Sequence, residues 1–260
     1  FIVGATVFLS VIRVQSGCLH RKTDVLMTGC VVLQVLLYLV SDFTRDYTRF
    51  NFYFAVDIAL TLSMAALLPM ILSLFFTKGR ARNFTLFATV GMGICLLSAY
   101  VNSFFMEQYG VDGIIAAIEI TPVCEEVMKL LPLLFYFLIF EPEPKELPSV
   151  AIAIAVGFAT FENVCYLTEN GASNFSFLLI RGISAGALHI LCGVLSGFGI
   201  SCVFRRRWLA ITGTAGILGA CTGFHGIYNL LITADGGWKT VGYLFPSVLI
   251  LFLFVAKSVF

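Results

Sequence analysis

The sequence predicts an all-α polytopic membrane protein, a single transmembrane domain over residues 1–260 built as a bundle of about eight to nine transmembrane helices. Three observations predict this class. Apolar residues make up 59% of the chain and charged residues 12%, and the mean hydropathy is +0.97, which a soluble domain of this length could not bury. The apolar residues form segments near the ~20 residues that an α-helix needs to cross the hydrocarbon. Basic residues lie mainly in alternate loops.

Apolar segments follow one another along the chain. The predicted spans are 25–40, 51–76, 84–106, 114–140, 147–168, 175–204, 209–233 and 241–259. The stretch from Phe1 to Ile12 is too short to span alone, and we interpret it as the end of a helix whose start is missing. Between two spans, the segment 141–144 carries two prolines, which lack the N–H that a helix needs, and it predicts a turn.

Loop charge predicts the orientation of the spans. When the loops are counted alternately, eleven basic residues fall on one side: Arg13, Arg21, Lys22, Lys78, Arg80, Arg82, Lys145, Arg205, Arg206, Arg207 and Lys257. Three fall on the other side: Arg45, Arg49 and Lys239. Because basic loops are retained in the cytoplasm, the first side is predicted to be cytoplasmic. A net charge of +1 gives no indication of nucleic-acid binding.

The cysteines predict core packing. None is part of a CxxC motif, and most lie inside apolar segments, where a thiol packs as a small apolar group. The eight residues are Cys18, Cys30, Cys95, Cys124, Cys165, Cys192, Cys202 and Cys221. We interpret them as core residues and expect no structural disulfide.

Ionisable residues inside four of the spans point to function. A charge near the bilayer centre costs roughly 2.5–3.5 kcal/mol even on a lenient insertion scale, so such residues persist where they meet in a polar cavity. Glu126, Glu162, His189 and His225 lie about 14 to 16 residues from the predicted cytoplasmic ends of their spans, or ~21–24 Å along untilted helices. Residues 114–233 are therefore predicted to form a four-helix catalytic core with its polar plane in the outer half of the membrane.

The first helix of this core carries paired glutamates and two prolines. Pro122 and Pro132 each remove a backbone hydrogen bond and are expected to kink the helix, an irregularity tolerated at this depth beside protein or a wet cavity. Glu125 and Lys129 are four residues apart and are expected to pair along one face, while Glu126 points about 100° away. One carboxylate is thus expected to be neutralised by Lys129, and the other is left free to act.

The later helices supply the partners. His189 shares a face with glycines that let neighbouring helices approach closely. These are Gly182, Gly186, Gly193 and Gly197. His225 and Asn229 share a second polar face, and the Tyr166 hydroxyl, four residues after Glu162, is expected to bind that carboxylate. Carboxylate and imidazole together activate water, and His and Asn donate to an oxyanion, so the set favours peptide-bond hydrolysis.

Each residue also has a structural interpretation. A lone intramembrane His more often bridges two helices than acts in catalysis. Glu162 alone fits an ion pair with Arg181 or Lys129, and we expect Arg181 to be structural. Two imidazoles and at least two carboxylates from four helices exceed what such pairing requires. The spans lack GxSxG, HExxH and paired-aspartate motifs, which disfavours the serine, zincin and aspartyl mechanisms.

In these motifs the chain resembles the PrsW family of intramembrane proteases, which is related to the CAAX-processing and bacteriocin-processing proteases and more distantly to the Aph-1 subunit of γ-secretase. EEVMK at 125–129 matches an EExxK motif, and GFATFEN at 157–163, followed by Tyr166, resembles a GFAxxEN…Y motif. His189 stands for the lone histidine of the third helix, and HGIYN at 225–229 for the last histidine motif. The four motifs occur in the family's order.

The resemblance implies an intramembrane endoprotease that cuts a single-span membrane protein near its extracytoplasmic side, as the first (site-1) cleavage of an anti-sigma factor in a bacterial cytoplasmic membrane. Carried over by motif, Glu125 or Glu126 would be the base, assisted by Glu162, and His225 and Asn229 would be oxyanion donors. The remaining implied site residues are His189, with Lys129 and Tyr166 in support. The CAAX-processing relatives have His where this chain has Glu162, so that residue's role does not transfer unaltered.

Metal dependence stays open at this stage. His189, His225 and Glu162, with one of the paired glutamates, form a normal zinc donor set with water in the remaining position. A metal-free glutamate mechanism uses the same residues, and the resemblance favours it. Two other classes also remain: a non-proteolytic scaffold resembling Aph-1, and a proton-coupled transporter, although no repeated broken-helix halves are present in the sequence.

Overall fold

The computed structural model describes residues 81–170 and 175–259, and all regular elements in these residues are helical. The α-helices are α1 Ala81–Tyr109, α2 Gly113–Ile115, α3 Thr121–Phe140, α4 Leu147–Asn170, α5 Phe175–Val203, α6 Ala210–Thr233 and α7 Gly237–Val259. A π-helical segment, Ala116–Ile120, joins α2 to α3, and a 3-10 turn, Arg207–Leu209, precedes α6. The all-α prediction is confirmed for this part of the chain.

Within residues 81–170 and 175–259, three helices are long and apolar enough to cross a membrane. They contain the stretches Phe84–Tyr109, Ile180–Val203 and Ala210–Thr233. Shorter apolar stretches occupy α4 and α7, at Leu147–Asn163 and Gly237–Leu253. α3 carries Glu125, Glu126 and Lys129, and this charge content makes it poorer as a span by composition. The predicted spans 25–40 and 51–76 lie outside the described residues, as does the first apolar stretch, so the total of eight to nine stays a prediction.

α4 and α5 form the centre of the bundle. Every residue of 150–159 in α4 and of 184–194 in α5 is buried. α1, α6 and α7 pack around them and expose apolar side chains such as Leu97, Ile211 and Phe252. Outward-facing apolar residues suit a lipid environment, because lipid tails are as apolar as these side chains.

Glycines set the spacing between the central helices. Gly157 lies so close to α1 that a Cβ at this position would overlap the backbone carbonyl of Ala88. A Cβ on Gly193 would lie 2.8 Å from the Cβ of Ala155, and one on Gly197 would lie 3.0 Å from a side-chain atom of α4. The close-packing role predicted for the glycine face of α5 is confirmed at Gly193 and Gly197.

The four predicted polar residues lie at one depth. Glu126 stands 14 residues before Phe140, the last residue of α3, and His189 stands 14 before the end of α5. Glu162 and His225 stand 15 residues after the first residues of α4 and α6. Because these four helix ends lie around the loops 141–146 and 204–209, the rise of ~1.5 Å per residue places all four side chains about 21–23 Å from that end of the bundle.

Candidate active site

The helix that carries the paired glutamates begins with an irregular turn at Pro122. Proline has no N–H, so the preceding carbonyls lose a helical donor. The segment before it is π-helical, with the N–H of Thr121 bonded to the carbonyl of Ala116. Asn229 of α6 donates from Nδ2 to the carbonyl of Ala117 at 2.7 Å. Pro132 also lies in α3, but the helix continues through it to Phe140.

Asn229 therefore has a different contact from the one its motif implies. One N–H of its amide is used to hold the π segment against α6. The same face of α6 carries Gly226, where a Cβ would lie 3.3 Å from the carbonyl of Ile118. These two contacts fix the start of α3, and thereby the direction in which Glu125 and Glu126 project.

Lys129 pairs with Glu126, whereas the sequence spacing predicts a pair with Glu125. Its Nζ lies 2.6 Å from Oε1 of Glu126 and 2.8 Å from Nδ1 of His189 on α5. Side chains three and four residues apart are equally near on a helix, so the spacing alone does not choose. When the Lys129 ammonium points toward Glu126, it also reaches Nδ1 of His189 on α5. The prediction that Lys129 neutralises Glu125 is wrong, and Glu126 is the anchored carboxylate.

Glu125 keeps an uncommitted oxygen. Its Oε2 is buried and has no hydrogen-bond partner among the described residues. The nearest basic atom recorded for it is Nε2 of His225, at 3.8 Å, which is too long for a hydrogen bond. Of the two neighbouring glutamates, Glu125 is therefore the one whose carboxylate is available.

His225 is oriented by the anchored glutamate. Its Nδ1 lies 2.9 Å from Oε1 of Glu126. An ionised carboxylate only accepts, so the network assigns the ring proton to Nδ1 and leaves a lone pair on Nε2, the atom that faces Glu125. The ring meets that of His189 edge-on, with centroids 5.4 Å apart.

His189 bridges α3 and α4. Its Nδ1 accepts from Lys129, so its Nε2 carries the proton and donates to Oε2 of Glu162 at 2.5 Å. Oε1 of Glu162 accepts from Nη2 of Arg181 at 3.0 Å, which confirms the expected ion pair. The guanidinium lies over the Tyr166 ring, 3.3 Å from its centroid. Tyr166 thus supports the pair through Arg181, a ring contact that was not predicted from the sequence.

The buried polar side chains that contact one another form one cluster: Glu125, Glu126, Lys129, Glu162, Arg181, His189 and His225. This cluster carries more negative than positive charge. Glu125, Glu126 and Glu162 contribute three carboxylates, and the cations that contact them in the described residues are Lys129 and Arg181. Lys129 compensates Glu126, and Arg181 compensates Glu162. A buried carboxylate without a counter-charge is strongly unfavourable. The net negative charge of the cluster therefore favours the binding of one further cation beside Glu125.

The donor set at this position fits a divalent metal ion. Glu125, His189 and His225 each have a ligand-type atom, and these atoms lie within 4.8 Å of one another. To bind a metal, His189 would exchange its contact with Lys129 or with Glu162 for the ion. Two imidazoles with one carboxylate are the ligands of many catalytic zinc sites, and Glu126 on Nδ1 of His225 is the outer carboxylate that such sites use to orient a histidine. Glu162, which was predicted among the ligands, is outside this group and binds His189 and Arg181.

Two buried thiols next to this cluster were not predicted as part of a site. Cys192 and Cys221 lie with Glu126 in a second group of ligand-type atoms. Their spacing in the sequence could have indicated this position. Cys192 follows His189 by three residues and Cys221 precedes His225 by four, so each cysteine lies on the same helix face as the neighbouring histidine.

Comparison with known proteins agrees with the motifs. A family model described as PrsW family intramembrane metalloprotease matches residues 80–257. The chain is 28% identical over 108 residues to Protease PrsW of Bacillus subtilis (strain 168), a match that covers 39% of this chain and 45% of that protein. The chain thus matches less than half the length of this relative, and no solved structure shows significant similarity. Because the family model covers more than half of the chain and includes every residue of the cluster, the chain belongs to the PrsW family of intramembrane metalloproteases.

Proposed function

We propose that this protein is an intramembrane endoprotease that hydrolyses a peptide bond of a single-span membrane protein near its extracytoplasmic side. Its substrate is an anti-sigma factor, for which it performs the first cleavage in a bacterial cytoplasmic membrane. The observation that carries the proposal is the buried Oε2 of Glu125, which has no hydrogen-bond partner among the described residues and lies 3.8 Å from Nε2 of His225, inside a cluster drawn from four helices. Family membership supports the peptidase class.

We also propose how the helices cross the membrane. α1 and α3 to α7 all cross the membrane, with the basic loops around 204–209 in the cytoplasm. The cluster lies about 21–23 Å from that end, beyond the middle of a hydrocarbon core ~30 Å thick. This depth supports a cut near the outer surface.

Glu125, His189 and His225 hold one divalent metal ion in the proposed mechanism. When bound, such an ion activates water and polarises the carbonyl of the scissile bond. Glu126 holds the Nδ1 proton of His225 and so directs Nε2 toward Glu125. Lys129 compensates Glu126 and keeps it ionised beside the histidine.

In the proposed mechanism, Glu162 transfers a proton from the attacking water to the leaving amine. Its side chain is 17% exposed, compared with 8% for Glu125 and 3% for Glu126, so it is the most accessible of the three carboxylates. Its Oε2 lies 2.5 Å from Nε2 of His189, at the edge of the ligand group but outside it. A carboxylate at this place can take a proton from water and return it to the leaving amine. Asn229 positions α3 and is not assigned to the oxyanion.

A reconstituted cleavage assay tests the function. The purified protein is placed in proteoliposomes with a candidate single-span substrate, and the rate of cleavage is measured. Glu125→Gln and His225→Ala are each expected to lower the rate by about 10³-fold or more, because each removes part of one catalytic unit. Glu119→Gln, a change at an exposed glutamate of the π segment, is the matched control. Unchanged cleavage in both site variants would favour a scaffold and end the enzymatic proposal.

Metal removal tests the cofactor. Elemental analysis of the purified protein is expected to find about one equivalent of a divalent metal held by a His₂–carboxylate set, and His225→Ala is expected to lose it. Strong chelation should abolish cleavage, and Zn²⁺ should restore it. Full activity in chelated, metal-free protein would refute the metal and return the role of base to Glu125.

A further inference from the structure

A second group of ligand-type side chains lies beside the active-site cluster. Cys192 of α5, Cys221 of α6 and Glu126 of α3 each bring one atom to within 4.8 Å of the other two. All three residues are buried, and each cysteine is only 1% exposed. The described structure records both cysteines as free thiols.

The two groups are stacked along the bundle. Cys192 lies one turn after His189, and Cys221 lies one turn before His225. α5 and α6 are joined by the connection at 204–209 and run in opposite directions, so both steps lead toward the same end. The thiol group therefore lies directly beneath the histidine group, and the adjacent Glu125 and Glu126 supply one carboxylate to each.

The thiols are held in place by backbone acceptors across the α5–α6 interface. Sγ of Cys192 donates to the carbonyl of Cys221 at 3.7 Å, and Sγ of Cys221 donates to the carbonyl of Cys192 at 3.6 Å. Oγ of Ser196 lies 3.5 Å from Sγ of Cys221 and offers an oxygen at the same place. This reciprocal pair holds both sulfurs beside the carboxylate.

We propose that Cys192, Cys221 and Glu126 form a second metal site, specific for a thiophilic d¹⁰ cation such as Zn²⁺ or Cd²⁺. Binding replaces the two S–H protons, which are released, by two bonds from thiolate sulfur to the metal. The two thiolates and Glu126 then carry three negative charges, which the divalent cation and Lys129 balance. Such neutrality favours occupation of a buried site, and sulfur ligands select soft cations in preference to Mg²⁺ or Ca²⁺.

Occupation of this site acts on the cluster above it. Glu126 also accepts from His225 and Lys129, so a metal that draws on its carboxylate weakens the contact that orients His225. Loss of such an outer contact typically costs 10–100-fold in metal affinity or activity. The second site is thus inhibitory for the proposed protease, although its existence does not depend on that activity.

Cadmium titration of the full chain in detergent tests the site directly. Wild-type protein is expected to develop the absorption band of cadmium–thiolate charge transfer, and Cys192→Ala and Cys221→Ala are each expected to lose most of it. Cys124→Ala, at a buried cysteine outside the group, and Cys202→Ala, at an exposed one, are the controls that should retain the band. His225→Ala should retain it too, which separates this site from the catalytic one.

Each result of the cadmium titration either supports or overturns the second metal site. A band of wild-type size in Cys192→Ala and Cys221→Ala, or no band in the wild type, overturns the proposal. Retention of the first metal equivalent in the cysteine variants verifies that they are folded. In the cleavage assay, Zn²⁺ beyond one equivalent should lower the wild-type rate about tenfold but leave Cys192→Ala unaffected. Equal inhibition of both proteins would refute the coupling, whereas inactive wild-type protein that still gives the band would refute only the protease.

Discussion

Glu125 and Glu126 are neighbours in the chain, but their surroundings give them different tasks. Glu126 is bonded to Lys129 and to His225, whereas Oε2 of Glu125 has no partner among the described residues. The first carboxylate stabilises the fold by compensating a buried ammonium. The second keeps a buried oxygen without a partner, as residues with a chemical task often do at a cost in stability.

This difference predicts opposite effects of the same substitution. Glu126→Gln removes the counter-charge that is hydrogen-bonded to buried Lys129 and is expected to lower the free energy of unfolding by about 3–5 kcal/mol. Glu125→Gln replaces a carboxyl group whose Oε2 has no partner among the described residues and is expected to leave that free energy unchanged or raise it, while cleavage is lost. Unfolding by SDS titration in micelles measures both.

The control for this prediction is the double variant Glu126→Gln, Lys129→Met, which removes both charges of the pair. It should recover most of the stability that Glu126→Gln loses, since the buried ammonium is gone. If Glu125→Gln proves the more destabilising of the two single variants, the assignment of the anchored carboxylate is reversed.

At the scale of the element, α3 is shaped by Pro122 and by its contact with α6. Proline withholds a backbone donor, the segment Ala116–Ile120 adopts the wider π-helical winding, and Asn229 donates to the carbonyl of Ala117. π-helical turns of this kind are frequent at functional sites, because they rotate the residues that follow. Here the rotated residues are the paired glutamates.

Asn229→Leu tests whether this asparagine positions α3. The substitution leaves the Ala117 carbonyl without its donor, and the free energy of unfolding is expected to fall by about 1–3 kcal/mol. An oxyanion donor behaves differently, because its loss lowers kcat with little effect on stability. The measurement therefore pairs SDS unfolding with kcat and KM.

Thr233→Ala is the matched control on the same helix, since its hydroxyl bonds, among the described residues, to the backbone of its own helix at Asn229 and Leu230. It should leave kcat and KM unchanged. A loss of kcat in Asn229→Leu at wild-type stability would restore Asn229 to the oxyanion role.

At the scale of the whole molecule, buried α4 and α5 hold the outer helices at close range and bring polar groups from four helices to one depth. The depth has functional meaning only with an orientation, and the loop charges give one. The connections at 141–146 and 204–209 are expected in the cytoplasm, and the one that precedes α7 is expected outside.

Labelling of single added cysteines checks this orientation. Lys145→Cys, at a side chain 77% exposed in the 141–146 loop, should resist a membrane-impermeant maleimide in intact cells and react after lysis. Lys239→Cys, at the exposed start of α7, should react in intact cells. The chain without added cysteines gives the background, and the reverse labelling pattern would place the cluster nearer the cytoplasm and exclude a cut at the outer surface.

The sequence predicts the helices and the depth of the site well, because both depend on local patterns. Hydropathy and the prolines of 141–144 locate the helix ends, and equal distances from those ends bring Glu126, Glu162, His189 and His225 to one plane. The choice of partners is less predictable. Lys129 has two glutamates within reach, and a histidine on another helix decides between them.

The same limit applies to other contacts across helix interfaces. The sequence identifies Asn229 as a polar residue of α6. It does not identify its acceptor, which is the carbonyl of Ala117, 112 positions away in the chain. The ring of Tyr166 lies against Arg181 across the α4–α5 interface, a contact that was not predicted from the sequence. Pairings across helix interfaces depend on rotation about helix axes, which periodicity within one helix does not determine.

The cross-helix hydrogen bonds also restrict where a substrate can enter sideways. Polar contacts tie α3 to α6 through Asn229 and Glu126, α3 to α5 through Lys129, and α4 to α5 through Glu162. Parting any of these pairs would break a buried contact. Among residues 81–170 and 175–259, no side-chain hydrogen bond links α1 or α7 to the cluster. Because α1 packs tightly on α4 at Gly157, the seam beside α7 offers lateral passage at the lowest cost in free energy.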